Sequence, residues 1–309
     1  MIFNFGLRNH HDTSLNSLGD LLLPIWHGLE ANGHQVIRFC TEFRAAPVVN
    51  VLLEFFVDDA YIDTLLRLKR EHGERLIFGL ICTEDPEDRI VMDEFPNRLP
   101  NLERLLPVVD FIWTLLPVPS FYERNGCADR TKLLQYGFSP AYLDPFLISD
   151  PAGRNLDTVL YGSDHGYRAK IANAIRERGV GCFGTSRQYY PGFMTDDLIR
   201  RAKLVIDLRR GPGVRFLSPT RIVKALHSGT AVVSEEFDRS EIASLYRYTV
   251  MTPYEALADR CVEIVRSGAA TRMGLEALRR FQAETSMAAN VAQAMALPVF
   301  ERLKAMTPP

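Results

Sequence analysis

The sequence predicts an α/β protein built from two Rossmann-like domains with a deep cleft between them. Three observations predict it. Strand and helix signals alternate from end to end, the pattern of parallel sheets covered by helices. The chain has 309 residues, more than one core usually serves, so two domains of about 150 residues each are expected. Between the two alternating series lies Ser149-Asp150-Pro151-Ala152-Gly153, a short segment with linker composition. The expected domains are therefore 1–148 and 149–309, with the last helix crossing back to pack on the first domain.

In the first series, Ile2–Leu7 is an expected strand, followed by the polar loop Arg8–Ser14 and a helix over Ser17–Ala31 that stops at Asn32-Gly33. Gln35–Cys40 and Val48–Phe55 are the next strands, and Asp59–His72 reads as an amphipathic helix with a Lys/Arg-rich outer face. Arg75–Cys82 is a fourth strand, ending in the acidic loop Thr83–Asp88. Val109–Thr114 and Lys132–Tyr136 complete the series, with a helix carrying Phe121 and Tyr122 between them.

The second series opens with the strand Thr158–Gly162 and the helix Tyr167–Arg178, then the strand Val180–Gly184. A helix over Asp196–Ala202 feeds the strand Leu204–Leu208. Ser218-Pro219 is a helix start signal, since Ser can cap free backbone N–H groups and Pro fits the first helical position. Ile222, Val223, Ala225 and Leu226 give that helix an apolar side, Ser228-Gly229 ends it, and Thr230–Val233 is a buried strand. Tyr248–Met251 is the last strand and Pro253–Ser267 the next helix. A helical pattern over Ala269–Ala305, interrupted near Pro298, closes the chain, and its Phe281, Val291 and Phe300 need a surface to cover.

Composition narrows the function classes. A net charge of −2 argues against a dedicated nucleic-acid binder. The five cysteines are widely spaced with no C-x-x-C pair, and most lie in or beside apolar runs, so buried free thiols in a reducing compartment are expected. Met1–Gly6 enters a strand directly, without a basic-then-apolar leader, and no apolar run approaches the roughly 18 residues a membrane span requires. A cytoplasmic protein is expected. The basic helix face around Arg67, Lys69 and Arg70 offers contact with the inner face of a membrane as the alternative to a merely solvated surface.

Anion chemistry is concentrated in the second series. The helix start Ser218–Arg221 is preceded by the loop Gly211-Pro212-Gly213, with Arg209, Arg210 and Arg215 close by. A helix N-terminus attracts negative charge, and Arg suits bidentate phosphate contacts. The turn Gly162-Ser163-Asp164-His165-Gly166-Tyr167-Arg168 leads a strand into a helix in the same way. In an α/β protein such sites commonly face a phosphate of a nucleotide. No Asp-x-Asp and no convincing metal-ligand spacing occurs, so no metal is expected.

Four stretches carry a family likeness: Leu29–Val36, Tyr136–Pro145, Val159–Ser163 and Lys224–Val233. In this order and at these spacings they resemble the GT-B glycosyltransferases, especially the retaining group 1 type and its spore-maturation-protein-like branch. The resemblance implies an acceptor-side first domain and a nucleotide-sugar-binding second domain. It implies transfer of a sugar from a nucleotide-sugar, which enters as donor substrate rather than resident cofactor, to an acceptor that is a glycan, lipid-linked sugar, protein or small molecule. One departure stands out. Group 1 enzymes commonly carry a pair of Glu where this chain has Phe216 and Lys224. Lys224 cannot accept hydrogen bonds from ribose hydroxyls, but it can meet phosphate as a point charge.

Under this expectation Gly162, Ser163, Arg168, Arg209, Arg215, Ser218, Thr220, Arg221 and Lys224 form a two-sided clamp on the donor diphosphate, neutralising the leaving group without a metal. Removing Arg221 is then expected to weaken donor binding while leaving folding nearly intact. His10-His11-Asp12, after the first strand, is the candidate acceptor base, with Glu84 after the fourth strand as the fallback. Tyr189-Tyr190 could stack on a base or simply pack, and His27, His34, His72 and His227 are assigned no role. A non-catalytic nucleotide-sugar-binding protein is the second reading. A nucleic-acid-modifying glycosyltransferase ranks third, because the arginines cluster in the donor half rather than in an acceptor groove.

Overall fold

The computed structural model describes residues 1–6, 15–40, 42–54, 58–88, 93, 95–160, 162, 166–184, 192–237 and 244–306. The chain forms two compact units. One comprises Met1–Asp12, Ile25–Gln135 and Ala288–Pro309, the other Thr13–Pro24 and Tyr136–Met287.

The first unit is built on six parallel strands, β1 Ile2–Gly6, β2 Gln35–Cys40, β3 Val48–Leu53, β4 Ile77–Cys82, β5 Phe111–Thr114 and β6 Thr131–Leu133, in the order β2-β1-β3-β4-β5-β6. Strands β3 and β4 are buried along their whole length, which is why they read as near-continuous apolar runs, Asn50 in β3 excepted, rather than as alternating ones. Gly79 sits opposite Phe111 in the β4–β5 pair, and a Cβ there would lie 1.9 Å from the Phe111 ring, so glycine makes the room for that ring. Helix α1 Leu15–Ala31 groups with the second unit up to Pro24 and with the first from Ile25, and the first unit's further helices are α2 Asp59–His72, α3 Arg98–Leu105 and α4 Pro119–Arg124. The sequence pattern misses α3, because Pro100 within it reads as a breaker; proline is tolerated in a first turn, where the N–H has no intrahelical partner.

The second unit holds five parallel strands, β7 Leu156–Leu160, β8 Cys182–Gly184, β9 Ala202–Asp207, β10 Ala231–Glu235 and β11 Val250–Thr252, in the order β11-β10-β9-β7-β8. Helices α5 Tyr167–Glu177, α6 Gly192–Arg201, α7 Pro219–His227, α8 Leu257–Arg266 and α9 Ala270–Glu284 accompany them. Leu160, Leu204, Ile206, Val233, Leu257, Cys261 and their neighbours form one continuous core in this unit.

Arg154 is 1% exposed in the second unit. Its Nη1 donates to Arg200 O, Ala202 O and Thr230 Oγ1, and its Nη2 to Ile148 O, Ser228 O and Gly229 O. A guanidinium's fixed fork of donors suits a ring of acceptors of this kind. Burial lowers its pKa to about 10, Asp144 opposing the shift.

The closing helical pattern resolves into three helices: α9, α10 Met287–Ala294 and α11 Pro298–Met306. Pro298 opens the last of them instead of interrupting a longer one, in keeping with the fit of proline to a first helical position. Phe281 packs in the second unit, at 5.2 Å from the His227 ring and 6.1 Å from Phe138. From Ala288 onward the chain groups with the first unit. There Phe300 lies 4.7 Å from Phe111 and 5.9 Å from Trp113, whose indole N–H donates to Ala294 O at 3.0 Å.

Candidate functional site

Strands β9 and β10 lie side by side, and each is a mainly apolar strand that ends in an acid, Asp207 and Glu235. The strand order reverses between β7 and β9, and in doubly wound sheets ligands bind beyond the carboxyl ends at such a reversal. Both carboxylates are fully buried, a position that requires a cationic partner. Arg221, in the first turn of α7, places Nη1 2.7 Å from Asp207 Oδ1 and 3.0 Å from Leu208 O. Arg209 donates its backbone N–H to Glu235 Oε2 at 3.0 Å and its Nε to Oε1 at 2.9 Å. The Tyr167 hydroxyl donates to the same Oε1 at 2.6 Å. Burial pushes the Asp207 carboxyl above the usual carboxylate range, with Arg221 and Arg168 opposing it. Burial, then the bond to Glu235, likewise raises the Tyr167 phenol.

Arg168 is buried in the first turn of α5, with Nε 3.2 Å from Leu208 O and 3.0 Å from Arg209 O. It braces the exit of β9. Gly162 has φ 107°, a left-handed value that side chains rarely adopt, and a Cβ there would lie 3.2 Å from Arg168 Nη1. Ser163 lies outside the described residues. Ser218 stands in the N-cap position of α7, but its hydroxyl bonds to Thr220 Oγ1 at 2.8 Å and makes no capping bond. The expected side-chain cap is therefore absent, and the first-turn N–H groups remain available to an anion. Arg215 is exposed, its guanidinium 5.3 Å over the Phe216 ring. Lys224 is buried in the second turn, with Nζ 2.5 Å from Asp196 Oδ1 and 4.6 Å above the Tyr142 ring.

An open pocket of 540 Å³ adjoins this edge, lined among others by Tyr167, Arg209, Glu235, Glu236, Tyr254 and Glu255. The Tyr167 and Tyr254 rings stack 4.1 Å apart at 17°, and the Tyr254 hydroxyl donates to Tyr167 O at 2.7 Å. Three carboxylates beside one arginine make the wall rich in acceptors, which suits a hydroxyl-bearing ligand. Asp207, Glu235, Tyr167 and Tyr254 are absent from the sequence-based site. The signal that could have found the acids is an acidic residue closing an apolar strand at the ligand edge of a parallel sheet.

In the first unit Glu84 is exposed just beyond β4, and its N–H donates to Glu54 Oε1 at 3.0 Å. Glu54, 1% exposed, also receives Thr83 N at 2.9 Å, Thr83 Oγ1 at 3.0 Å and Arg98 Nη2 at 2.7 Å on that oxygen. The loop bearing Glu84 is thus fixed by a buried acid that the sequence hides at the end of an apolar strand. His10, His11, Asp12, Tyr189 and Tyr190 lie outside the described residues. Among the described residues no three His, Cys, Asp or Glu are grouped to hold a metal ion. No helix among them is long and apolar enough to cross a membrane. On α2, Lys69 Nζ meets Asp110 Oδ2 at 2.6 Å and Arg67 meets Glu71 at 2.9 Å, so part of its basic face is neutralised within the unit.

No family model and no curated protein matches the sequence. Solved structures do match. An alpha-glucosyltransferase (AGT) in complex with UDP superposes with a TM-score of 0.59 at 11% identity, over 98% of this chain and 99% of that one. AviGT4, a glycosyltransferase involved in avilamycin A biosynthesis, gives 0.54 at 13% identity over 99% of each chain. TarM gives 0.54 at 9% identity over 91% of this chain, which spans 58% of TarM's length. At such identities the likeness is one of fold, and the chain has the GT-B fold.

Proposed function

We propose that the protein is a glycosyltransferase that moves a sugar from a nucleotide-sugar donor to an acceptor, with the donor held at the carboxyl edge of the second unit's sheet. The observation that carries this reading is the pair of buried strand-end acids, Asp207 and Glu235, each locked to an arginine beside an acceptor-rich pocket. Two cations fixed by buried carboxylates are organised before any ligand arrives. Preorganised charge of this kind stabilises a leaving diphosphate without reorganisation as the glycosidic bond breaks. In this reading the diphosphate lies between the Gly162–Arg168 turn and the uncapped start of α7, with Arg221 and Arg209 at its sides. Arg168 supports them through the backbone of Leu208 and Arg209. The sugar or ribose hydroxyls face Glu236 and Glu255.

The leaving diphosphate is met by these cations and backbone N–H groups without a metal. The acceptor hydroxyl is deprotonated by a group in His10-His11-Asp12, with Glu84 as the alternative base, which supplies roughly 10²–10⁴-fold in rate. If the reaction retains configuration, the same loop only positions the acceptor. Membrane contact through α2 has weaker support, because Lys69 and Arg67 already have partners.

A second reading, a nucleotide-sugar-binding protein without transfer, is favoured by one observation. Lys224 stands where the group 1 pattern has Glu, and its charge is taken up by Asp196. Calorimetric titration with a panel of UDP-, GDP-, ADP- and dTDP-sugars tests the donor site, and release of nucleotide with and without candidate acceptors tests turnover. Failure of every donor to bind the parent protein would overturn both readings. Binding without turnover on any acceptor supports the second.

A further inference from the structure

At the opposite, amino edge of the second unit's sheet lies another cavity, of 210 Å³, bordered by Ala231 and Val250, the first residues of β10 and β11. We propose that it is a binding site for a small phosphate-bearing anion, separate from the donor edge. Its wall carries three guanidiniums, those of Arg247, Arg272 and Arg280, against the single carboxylate of Glu276. Glu276 is moreover paired with Arg279, 3.1 Å away. Glu284 stands beside Arg247 and Arg280, so four arginines, Arg247, Arg272, Arg279 and Arg280, meet two carboxylates around this cavity and the excess charge is positive.

Two of the arginines are held in place. The Tyr248 ring is flanked by Arg247 Cζ at 4.9 Å and Arg280 Cζ at 5.5 Å. Its hydroxyl accepts from Arg247 Nη2 and donates to Glu284 Oε2 at 3.0 Å. Glu284 in turn lies 3.3 Å from Arg247 and 3.4 Å from Arg280. Fixing two long side chains in advance removes part of the ordering entropy that binding would otherwise cost. Arg272 has no ion-pair partner among the described residues and is exposed. It stands with Met273 in the first turn of α9, a helix start with neither an acidic first-turn residue nor a side-chain cap. Cavity, guanidiniums and uncapped helix start all favour one ligand charge.

Size sets the class. Sites for drug-sized ligands run to about 300–1,000 Å³, so this cavity suits a phosphate group with a few attached atoms and is too small for a whole nucleotide-sugar. A small phosphate ester or inorganic phosphate shares the required chemistry.

Inorganic phosphate, and separately a hexose 6-phosphate, should be titrated into the full chain while the unfolding midpoint and calorimetric heat are followed. The parent should bind, Arg272→Gln should weaken binding roughly 10-fold, as expected for one lost charge-assisted hydrogen bond, and Arg272→Gln/Arg280→Gln should abolish it. Arg260→Ala, which lies outside the cavity wall and is paired with Glu263 on α8, should bind as the parent does. Tyr254→Ala, at the donor edge, should retain this binding, which separates failure here from failure of the proposed donor site. Tighter binding of the hexose 6-phosphate than of phosphate would identify an ester ligand, and equal binding the free anion. Undiminished binding by the exposed Arg272→Gln variant, or loss in Tyr254→Ala alone, would overturn the proposal.

Discussion

Arg221 Nη1 lies 2.7 Å from Asp207 Oδ1, joining the first turn of one helix to the last residue of the strand before it. The carboxylate is fully buried, and its Oδ2 has no hydrogen-bond partner among the described residues. In the proposed donor site the guanidinium has two duties, toward the ligand and toward the fold.

Arg221→Ala should accordingly destabilise the protein by about 3–5 kcal/mol, the cost of stranding a buried charge, in addition to weakening donor binding. The expectation from sequence that folding stays nearly intact gives way, because Asp207 depends on this arginine. Burial raises the folded-state pKa of Asp207 above its ordinary 3.8, and loss of Arg221 raises it further. A group raised in this way contributes its full stability below the unfolded pKa and loses it as pH rises through the folded one. The deficit of Arg221→Ala relative to the parent should thus be smallest below about pH 3.8 and widen upward. Urea unfolding across pH measures it, and Arg221→Ala/Asp207→Asn should recover most of the loss.

Lys224→Met should change donor affinity by less than about 0.5 kcal/mol, as for a residue that does not touch ligand. The reason is its ion pair with Asp196 and its place over Tyr142. Calorimetry decides, and a tenfold loss would put the ammonium on the phosphate.

Tyr254→Ala should weaken donor binding, with about 0.5–1.5 kcal/mol coming from the lost aromatic pair. Tyr254→Phe keeps the ring against Tyr167 and loses only the bond to Tyr167 O. Its affinity should stay close to the parent's in the same titration.

Cys40 is partly exposed, whereas Cys82, Cys127, Cys182 and Cys261 are buried. The expectation of buried thiols needs that one correction, which follows from the position of β2 at the sheet edge. Burial pushes the Cys82 and Cys261 thiols up as well, so they carry little thiolate. Maleimide should label one thiol quickly in the native protein, and Cys40→Ser should remove that fast phase.

Alanine substitutions of His10, His11, Asp12 and Glu84 should separate base from bystander. Loss of about 10²–10⁴-fold in turnover with donor affinity kept supports a base or an acceptor-positioning role. Four variants with full turnover would remove both loops from the mechanism.

Much of this was legible one residue after another. Alternating signals announce both sheets, and Ser218-Pro219 marks the helix start. What escapes linear inspection depends on neighbours distant in sequence. Asp207 pairs in register with Ser234, one residue before Glu235, so the two acids share an edge only once β9 and β10 are adjacent. Arg168 has the spacing of a solvated helix face, yet it is buried because the first turn of α5 packs over the β9 exit. Glu54 looks like the end of an apolar run, and its donors come from the loop after β4 and from Arg98 of α3.

Arg154 shows the same dependence on distance in its strongest form. Its acceptors lie from 6 to 76 positions away, on segments that have no contact with one another in an extended chain. No partial structure can satisfy this guanidinium, and its desolvation is offset only when the last of those carbonyls arrives. The backbone amides around residues 148, 200–202 and 228–230 are thereby bound to one opening event, and they should exchange with solvent together rather than fray in turn.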